Sequence, residues 1–290
     1  MPTKSWLYAA AACLLLILPR LEAAATPVED PFSALAQRLA ADGFSAQRLQ
    51  TLFSAPQVAF DTEGVSLFFV HSEGRLDYEQ FARPEPIARA RNYMTRHGAA
   101  LDKASRAYGV DREVITGILL VETQLGRYTG KRSVFNTLST MATLSDPDLR
   151  RYFWDQIPPG RRIGADQFAA KADSKSAWAY AELKAFLQFT GREGIDPLSV
   201  AGSYAGAMGI CQFMPSNALR LAVDANQDGR VDLFDHEDAI ASVARYLKHH
   251  GWRPELPRQR RYQVILRYNY SRPYANIILK IAELLAPSRS

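Results

Sequence analysis

Apolar side chains return at helical spacing along most of this chain, and that periodicity restricts the fold more than any other feature. It predicts helices near 86 to 108, 111 to 125, 176 to 190, 236 to 250, 259 to 268 and 274 to 285. Phe32, Leu35, Leu39, Phe44, Leu49 and Leu52 carry the same spacing near the start. Gln57 to Val70 alternates more like extended structure, and 143 to 176, with Asp146-Pro147 and Pro158-Pro159-Gly160, reads as a long loop or small subdomain. With 290 residues, 47% of them hydrophobic, there is apolar surface for one large domain or two small ones. The expected class is α+β, mainly α.

One helical stripe ends on a charge. From Asp111 the apolar positions are Val114, Ile115, Ile118 and Leu119, and Glu122 continues the series three and four residues on. A carboxyl group among apolar side chains loses hydration, which raises its pKa, and the negative end of the helix dipole acts in the same direction. Both effects favour a general acid. The plainer reading has Glu122 reaching solvent or pairing with Arg127.

The run Gly206 to Pro215 (Gly-Ala-Met-Gly-Ile-Cys-Gln-Phe-Met-Pro) suits a close backbone approach, since Gly206 and Gly209 lack Cβ atoms and Pro215 fixes the exit. Tight helix packing and a turn is the plainer alternative. Cys211 inside the run is expected to be a small buried packing residue, with a catalytic thiol as the sharper alternative.

Asp224-Ala-Asn226-Gln-Asp228-Gly229-Arg230 places oxygen ligands at alternate positions with glycine sixth, as at the start of an EF-hand calcium loop. The twelfth position holds Asp235 rather than the longer glutamate. Asp235 is better placed as the N-cap of the following helix, with Asp238 at its third position. A solvated acidic turn is the alternative.

Val121-Glu122-Thr123-Gln124-Leu125-Gly126-Arg127, Gly202-Ser203-Tyr204-Ala205-Gly206-Ala207-Met208-Gly209, Gln212-Phe213-Met214-Pro215, the acidic loop from Asp224, and Tyr268-Asn269 with Tyr274 stand in this order. Together they resemble the lytic murein transglycosylases of the membrane-bound type B family, over most of the chain. The resemblance implies a lysozyme-like transglycosylase fold and a peptidoglycan glycan strand as substrate. Glu122 would act alone as acid and then base on the bond between N-acetylmuramic acid and N-acetylglucosamine, leaving a 1,6-anhydromuramoyl end. It implies substrate contacts from Ser203, Tyr204, Gln212, Tyr268, Asn269 and Tyr274, with Tyr204 standing where the family has phenylalanine. It also implies a longer calcium loop closed by Asp238, so that Asp224, Asn226, Asp228, the Arg230 carbonyl and Asp238 would hold a structural Ca2+. The stretch 143 to 176 is longer than the family connection and reads as an insertion.

Lys4, the apolar run Leu7 to Leu18 and the small residues Ala23-Ala24-Ala25 read as a cleavable export signal over 1 to 25, leaving 26 to 290 as the catalytic domain. The run is short for a bilayer span, and Cys13 lies inside it rather than at its end, so lipid anchoring is disfavoured and a periplasmic protein expected. Cleavage would leave Cys211 alone and exclude an intramolecular disulfide. The formal net charge is +5, mildly basic. Arginines cluster at 150–151, 161–162 and between 253 and 261, which suits an anionic polymer such as peptidoglycan. Export and the lack of a nucleic-acid motif argue against nucleic acid. The histidines show no zinc-protease spacing, and no serine-hydrolase motif occurs. The rival readings are a muramidase that hydrolyses the same bond and a catalytically silent wall-binding protein.

Overall fold

A computed structural model describes residues 30–70 and 76–287. The export-signal reading of 1 to 25 lies outside these residues. The first helices are α1 (Ser33–Ala41), α2 (Ala46–Phe53) and α3 (Thr62–Val70), followed by α4 (Pro84–Arg96), α5 (Gly98–Tyr108) and α6 (Arg112–Thr123). A two-residue strand β1 (Arg132–Ser133) leads into α7 (Val134–Thr143), α8 (Pro147–Gln156) and α9 (Ala165–Glu193). Strand β2 (Ala201–Gly202), α10 (Pro215–Leu221), α11 (His236–His249), α12 (Arg258–Tyr268) and α13 (Arg272–Leu285) complete the order. The only sheet among the described residues pairs β1 and β2 antiparallel, Arg132 opposite Gly202 and Ser133 opposite Ala201. The architecture is the expected mainly helical α+β.

Two regions depart from the sequence expectation. Gln57 to Val70 is not extended, because Thr62–Val70 forms α3. Asp61 starts that helix by accepting the Gly64 N–H at 2.8 Å, and Val65 and Phe69, four apart, reach the core. The stretch 143 to 176 is largely helical, so of the two readings the long loop is the one that fails. Asp146 caps α8 by accepting the N–H groups of Asp148 and Leu149, with Pro147 at the first helical position, and α9 already begins at Ala165. Asp-Pro thus opens a helix here. Phe153 of α8 meets Phe69 of α3 and Phe168 of α9 with ring centroids 6.0 and 5.6 Å apart. The expected segment 86 to 108 is also divided, at His97, into α4 and α5.

The core is continuous. α9, with 29 residues about 43 Å long, packs along α7 and α10. On the other side α13 lies on α6, and α11 on α5. Ile115, Ile118 and Leu119 of α6 are fully buried. α6 and α13 pack in ordinary van der Waals contact at Gly117, where an added Cβ would sit 3.4 Å from Ile281 Cγ2. The apolar stripe of α6 therefore fixes the place and direction of Glu122.

Candidate active site

Glu122 lies one residue before the end of α6. The chain reverses immediately afterwards through Gln124, Leu125 and Gly126, with φ of 50°, 64° and 89°. Such left-handed values cost a residue with a Cβ about 1–3 kcal/mol, so the turn must be held by its surroundings. Thr123 supplies part of that hold. Its buried hydroxyl donates to the Ile210 carbonyl at 2.8 Å and accepts the Gly126 N–H at 2.9 Å.

The partner in that contact is the glycine-rich run, folded as consecutive tight turns. Ser203 and Ala207 are joined by an N–H to carbonyl bond of 2.8 Å, and Met208 and Phe213 exchange two, at 2.9 and 3.1 Å. Gly206 and Gly209 have φ of 87° and 75°, and their added Cβ atoms would fall 2.8 Å from Leu138 Cδ2 and 2.4 Å from Leu233 Cβ. Close approach is therefore the physical reason for both glycines. The Ser203 hydroxyl oxygen accepts the N–H groups of Ala205 and Ala207. Gln212, at φ 48°, donates from Nε2 to the carbonyls of Thr129 and Gly209 at 3.1 and 2.9 Å, which ties the run to the segment leaving α6.

The third wall comes from α12 and α13. The Tyr274 hydroxyl donates to Glu122 Oε1 at 2.6 Å, within a ring that is 1% exposed. Burial first, and the Glu122 charge second, push the Tyr274 phenol well above its ordinary pKa, so it remains a proton donor. Tyr78 braces it edge-on, with ring centroids 5.9 Å apart. The Tyr268 hydroxyl donates to the Cys211 carbonyl at 2.5 Å, and its pKa is also raised, by burial first, with the Glu122 charge acting in the same direction. Asn269 ends α12 in extended conformation, and its carbonyl accepts the Ser271 N–H at 2.7 Å.

Glu122, Thr123, Ile210, Cys211, Tyr268 and Tyr274 are thus connected directly, with Ser203 and Gln212 built into the same loop by main-chain bonds. Tyr204 and Asn269 are half-buried in the segments that flank them. Cys211 is fully buried, and burial pushes its thiol up, away from thiolate chemistry. Sequence reasoning missed the roles of Thr123, Thr129 and Tyr78. A threonine in a last helical turn beside a positive-φ reversal is a readable signal, whereas Thr129 acts through its carbonyl and Tyr78 reaches Tyr274 across the fold.

The acidic loop folds onto its own main chain. Asp224 accepts the N–H groups of Gln227 and Gly229, Asn226 that of Asp228, and Asp228 that of Arg230. Asp235 caps α11 through Glu237 and Asp238. Asp238 is fully buried at the base, where its two oxygens accept from Ala225, Asn226 and Asp232. Burial raises its pKa and these bonds oppose the rise. Among the described residues no three His, Cys, Asp or Glu side chains converge closely enough to hold a metal ion. The side-chain oxygens of Asp224, Asn226, Asp228 and Asp238 lie along the loop, and oxygen is the ligand a hard cation prefers.

Comparison with known proteins agrees with the geometry. Residues 28–261 match the profile of the transglycosylase SLT domain, and the chain belongs to that family. It is 36% identical over 174 residues to membrane-bound lytic murein transglycosylase B of Escherichia coli K12. That match covers 60% of this chain and 41% of the relative's length. Among solved structures, soluble lytic transglycosylase SltB1 of Pseudomonas aeruginosa superposes with a TM-score of 0.71 at 26% identity, covering 88% of this chain and 98% of that one. The Escherichia coli lytic transglycosylase Slt35 in complex with calcium gives 0.67 at 25% identity, covering 88% and 92%. The lysozyme-like transglycosylase fold is shared with both.

Proposed function

We propose that this protein is a peptidoglycan lytic transglycosylase in which Glu122 serves as both acid and base. Glu122 would first donate its proton to the glycosidic oxygen between N-acetylmuramic acid and N-acetylglucosamine. It would then accept a proton from the muramoyl C6 hydroxyl as that oxygen bonds to C1, leaving a 1,6-anhydromuramoyl end. The observation that carries this reading is the Tyr274 to Glu122 hydrogen bond of 2.6 Å at the C-terminal end of α6, within a chain of the transglycosylase family. A permanent phenolic donor orients one carboxyl oxygen, as a group that must give and recover a proton requires. The Glu122 charge bears on both the Tyr268 and the Tyr274 hydroxyls, so the carboxyl group and the two phenols share one site.

Ser203, Tyr204, Gln212, Tyr268 and Asn269 would line the cleft for the sugar. The name of the related Escherichia coli enzyme, a murein transglycosylase, supports the substrate assignment. Export to the periplasm as residues 26 to 290, after removal of 1 to 25, accords with that substrate. No helix among the described residues is long and apolar enough to cross a membrane.

The calcium complex of the related Slt35 supports a calcium site here. Asp224, Asn226, Asp228, the Arg230 carbonyl and Asp238 would hold the ion, whose chemistry is to gather the loop oxygens. Its role would be structural.

Glu122→Gln tests the assignment. The amide keeps the volume and can still meet the Tyr274 hydroxyl, but cannot donate and recover a proton. Release of muropeptides from purified sacculi should fall at least 1000-fold, with the circular dichroism spectrum and sacculus binding retained. Near-normal release from the folded variant would reject Glu122 as the catalytic residue.

A further inference from the structure

One buried carboxylate stands outside the catalytic cluster. Glu182 of α9 is only 6% exposed. Both of its oxygens accept from one residue: Oε2 from the Ser216 N–H and Oε1 from the Ser216 hydroxyl, each at 2.8 Å. No basic side chain pairs with it among the described residues. Burying a carboxylate costs free energy that an apolar side chain of similar size would not, so the position has a reason beyond packing.

Ser216 sits where the glycine-rich run passes into α10. The N-cap position of α10 is Met214, whose side chain makes no capping hydrogen bond. The first N–H groups of a helix lack partners within it, and the helix dipole favours a carboxylate beside them. Glu182 therefore does from α9, 34 residues away in sequence, what the local N-cap does not. From Ser216 the run leads back to the catalytic groups. The Phe213 N–H bonds the Met208 carbonyl, and inside that turn the Cys211 carbonyl accepts the Tyr268 hydroxyl and the Ile210 carbonyl accepts the hydroxyl of Thr123, the neighbour of Glu122. Gln212 holds φ of 48° in the same turn, a conformation that persists only where its surroundings impose it. Thr123, Thr129 and Tyr268 hold the turn on one side, and Glu182 holds its exit on the other.

We propose that Glu182 is a positioning residue for the reaction at Glu122: from α9 it holds Ser216, and through Ser216 it fixes the glycine-rich run against which Glu122 and Tyr268 are set. The inference rests on the transglycosylase reading for the reaction it affects. Glu182 acts through the run and exchanges no proton with the substrate. α9 is a single 29-residue helix packed along both α7 and α10, so the anchor does not move with the turn it restrains. Loss of the anchor should loosen the turn and lower the rate more than it weakens substrate binding.

The test measures steady-state kinetics on soluble glycan strands and amide hydrogen exchange on the same variants. In Glu182→Ala, kcat should fall at least tenfold with KM within threefold, since a small misplacement of catalytic groups costs rate. Glu182→Gln, which keeps an acceptor for the Ser216 N–H and a polar partner for its hydroxyl, should recover kcat to within threefold of wild type. Asp42→Ala, which frees α9 from hydrogen bonds at Tyr180 and Lys184 away from the run, should keep kcat within twofold. Independently of cleavage, the amides of Ile210, Gln212 and Phe213 should exchange at least tenfold faster in Glu182→Ala, while those of α13 keep their wild-type rates. Wild-type kcat in the folded Glu182→Ala protein, no rescue by glutamine, or unchanged exchange would overturn the proposal and leave the transglycosylase reading intact. Faster exchange in a protein whose wild type cuts no glycan would support the hold on the run and overturn the reaction. If Glu182→Ala does not fold, Ser216→Ala decides in its place, and a kcat within twofold of wild type overturns the proposal.

Discussion

The Tyr274 hydroxyl and Glu122 meet across a sequence separation of 152 residues, and each is fixed for a different reason. Glu122 is placed by the buried stripe of α6. Tyr274 is placed by α13, where the Ser271 side chain caps the helix by accepting the Tyr274 N–H and Pro273 occupies the first turn. A hydrogen bond to a charged group is worth about 1.5–3 kcal/mol, which corresponds to roughly 10- to 150-fold in rate if it is lost in the transition state. Tyr274→Phe should therefore lower kcat by about that factor while KM changes little, since the ring and its packing against Tyr78 remain. Steady-state kinetics on a soluble glycan substrate would check this, and a kcat within twofold of wild type would remove the tyrosine from the reaction. At this scale Glu122 was legible because a carboxylate on an apolar stripe conflicts with the pattern around it. Tyr274 was named only through family resemblance, because a buried tyrosine in a helix does not disclose where its hydroxyl points.

Two short strands and a set of tight turns join the helix end to the glycine-rich run, and glycine is what allows them to meet. Gly130 has φ of 98°, and an added Cβ would lie 2.0 Å from the Gly202 carbonyl oxygen and 2.8 Å from the Ser203 nitrogen. Gly130→Ala should cost more than about 2 kcal/mol, from left-handed strain and from backbone that cannot move aside. Gly160→Ala, with nothing within 4 Å of the added atom, should stay within about 0.5 kcal/mol of wild type. Thermal or urea unfolding of both variants would check the contrast, and equal stability would contradict the close approach. Helices with a regular apolar face, such as α11 and α13, could be read from spacing. α3 could not, because Val65 to Val70 is apolar at almost every position and a short apolar run does not separate strand from helix. α8 was hidden by Asp146-Pro147, which is the chemistry of a turn and equally of a helix start.

Over the whole molecule, the acidic loop connects parts that bear on the site. Glu193 at the end of α9 accepts the Val231 N–H at 2.7 Å, Lys103 of α5 donates to the Ala225 carbonyl at 2.6 Å, and the Ile210 N–H meets the Leu233 carbonyl at 2.8 Å. An ion gathered by Asp224, Asn226, Asp228 and Asp238 would tighten all three connections. At a calcium concentration 100 times its dissociation constant, linkage contributes about 2.7 kcal/mol, which for a chain of this size raises Tm by roughly 5–10 °C. Calcium added to chelated protein should produce such a rise, magnesium a smaller one, and Asp224→Ala should remove most of it. No calcium-dependent shift would reject the site. The reaction itself is decided by the new chain ends. If the cleft holds the muramoyl C6 hydroxyl over C1, intramolecular attack has a large proximity advantage over water. Digestion of purified sacculi in heavy-oxygen water, followed by mass spectrometry of the muropeptides, tests that directly: the proposed reaction gives unlabelled 1,6-anhydromuramoyl ends one water lighter than hydrolytic fragments, and labelled reducing ends would contradict it.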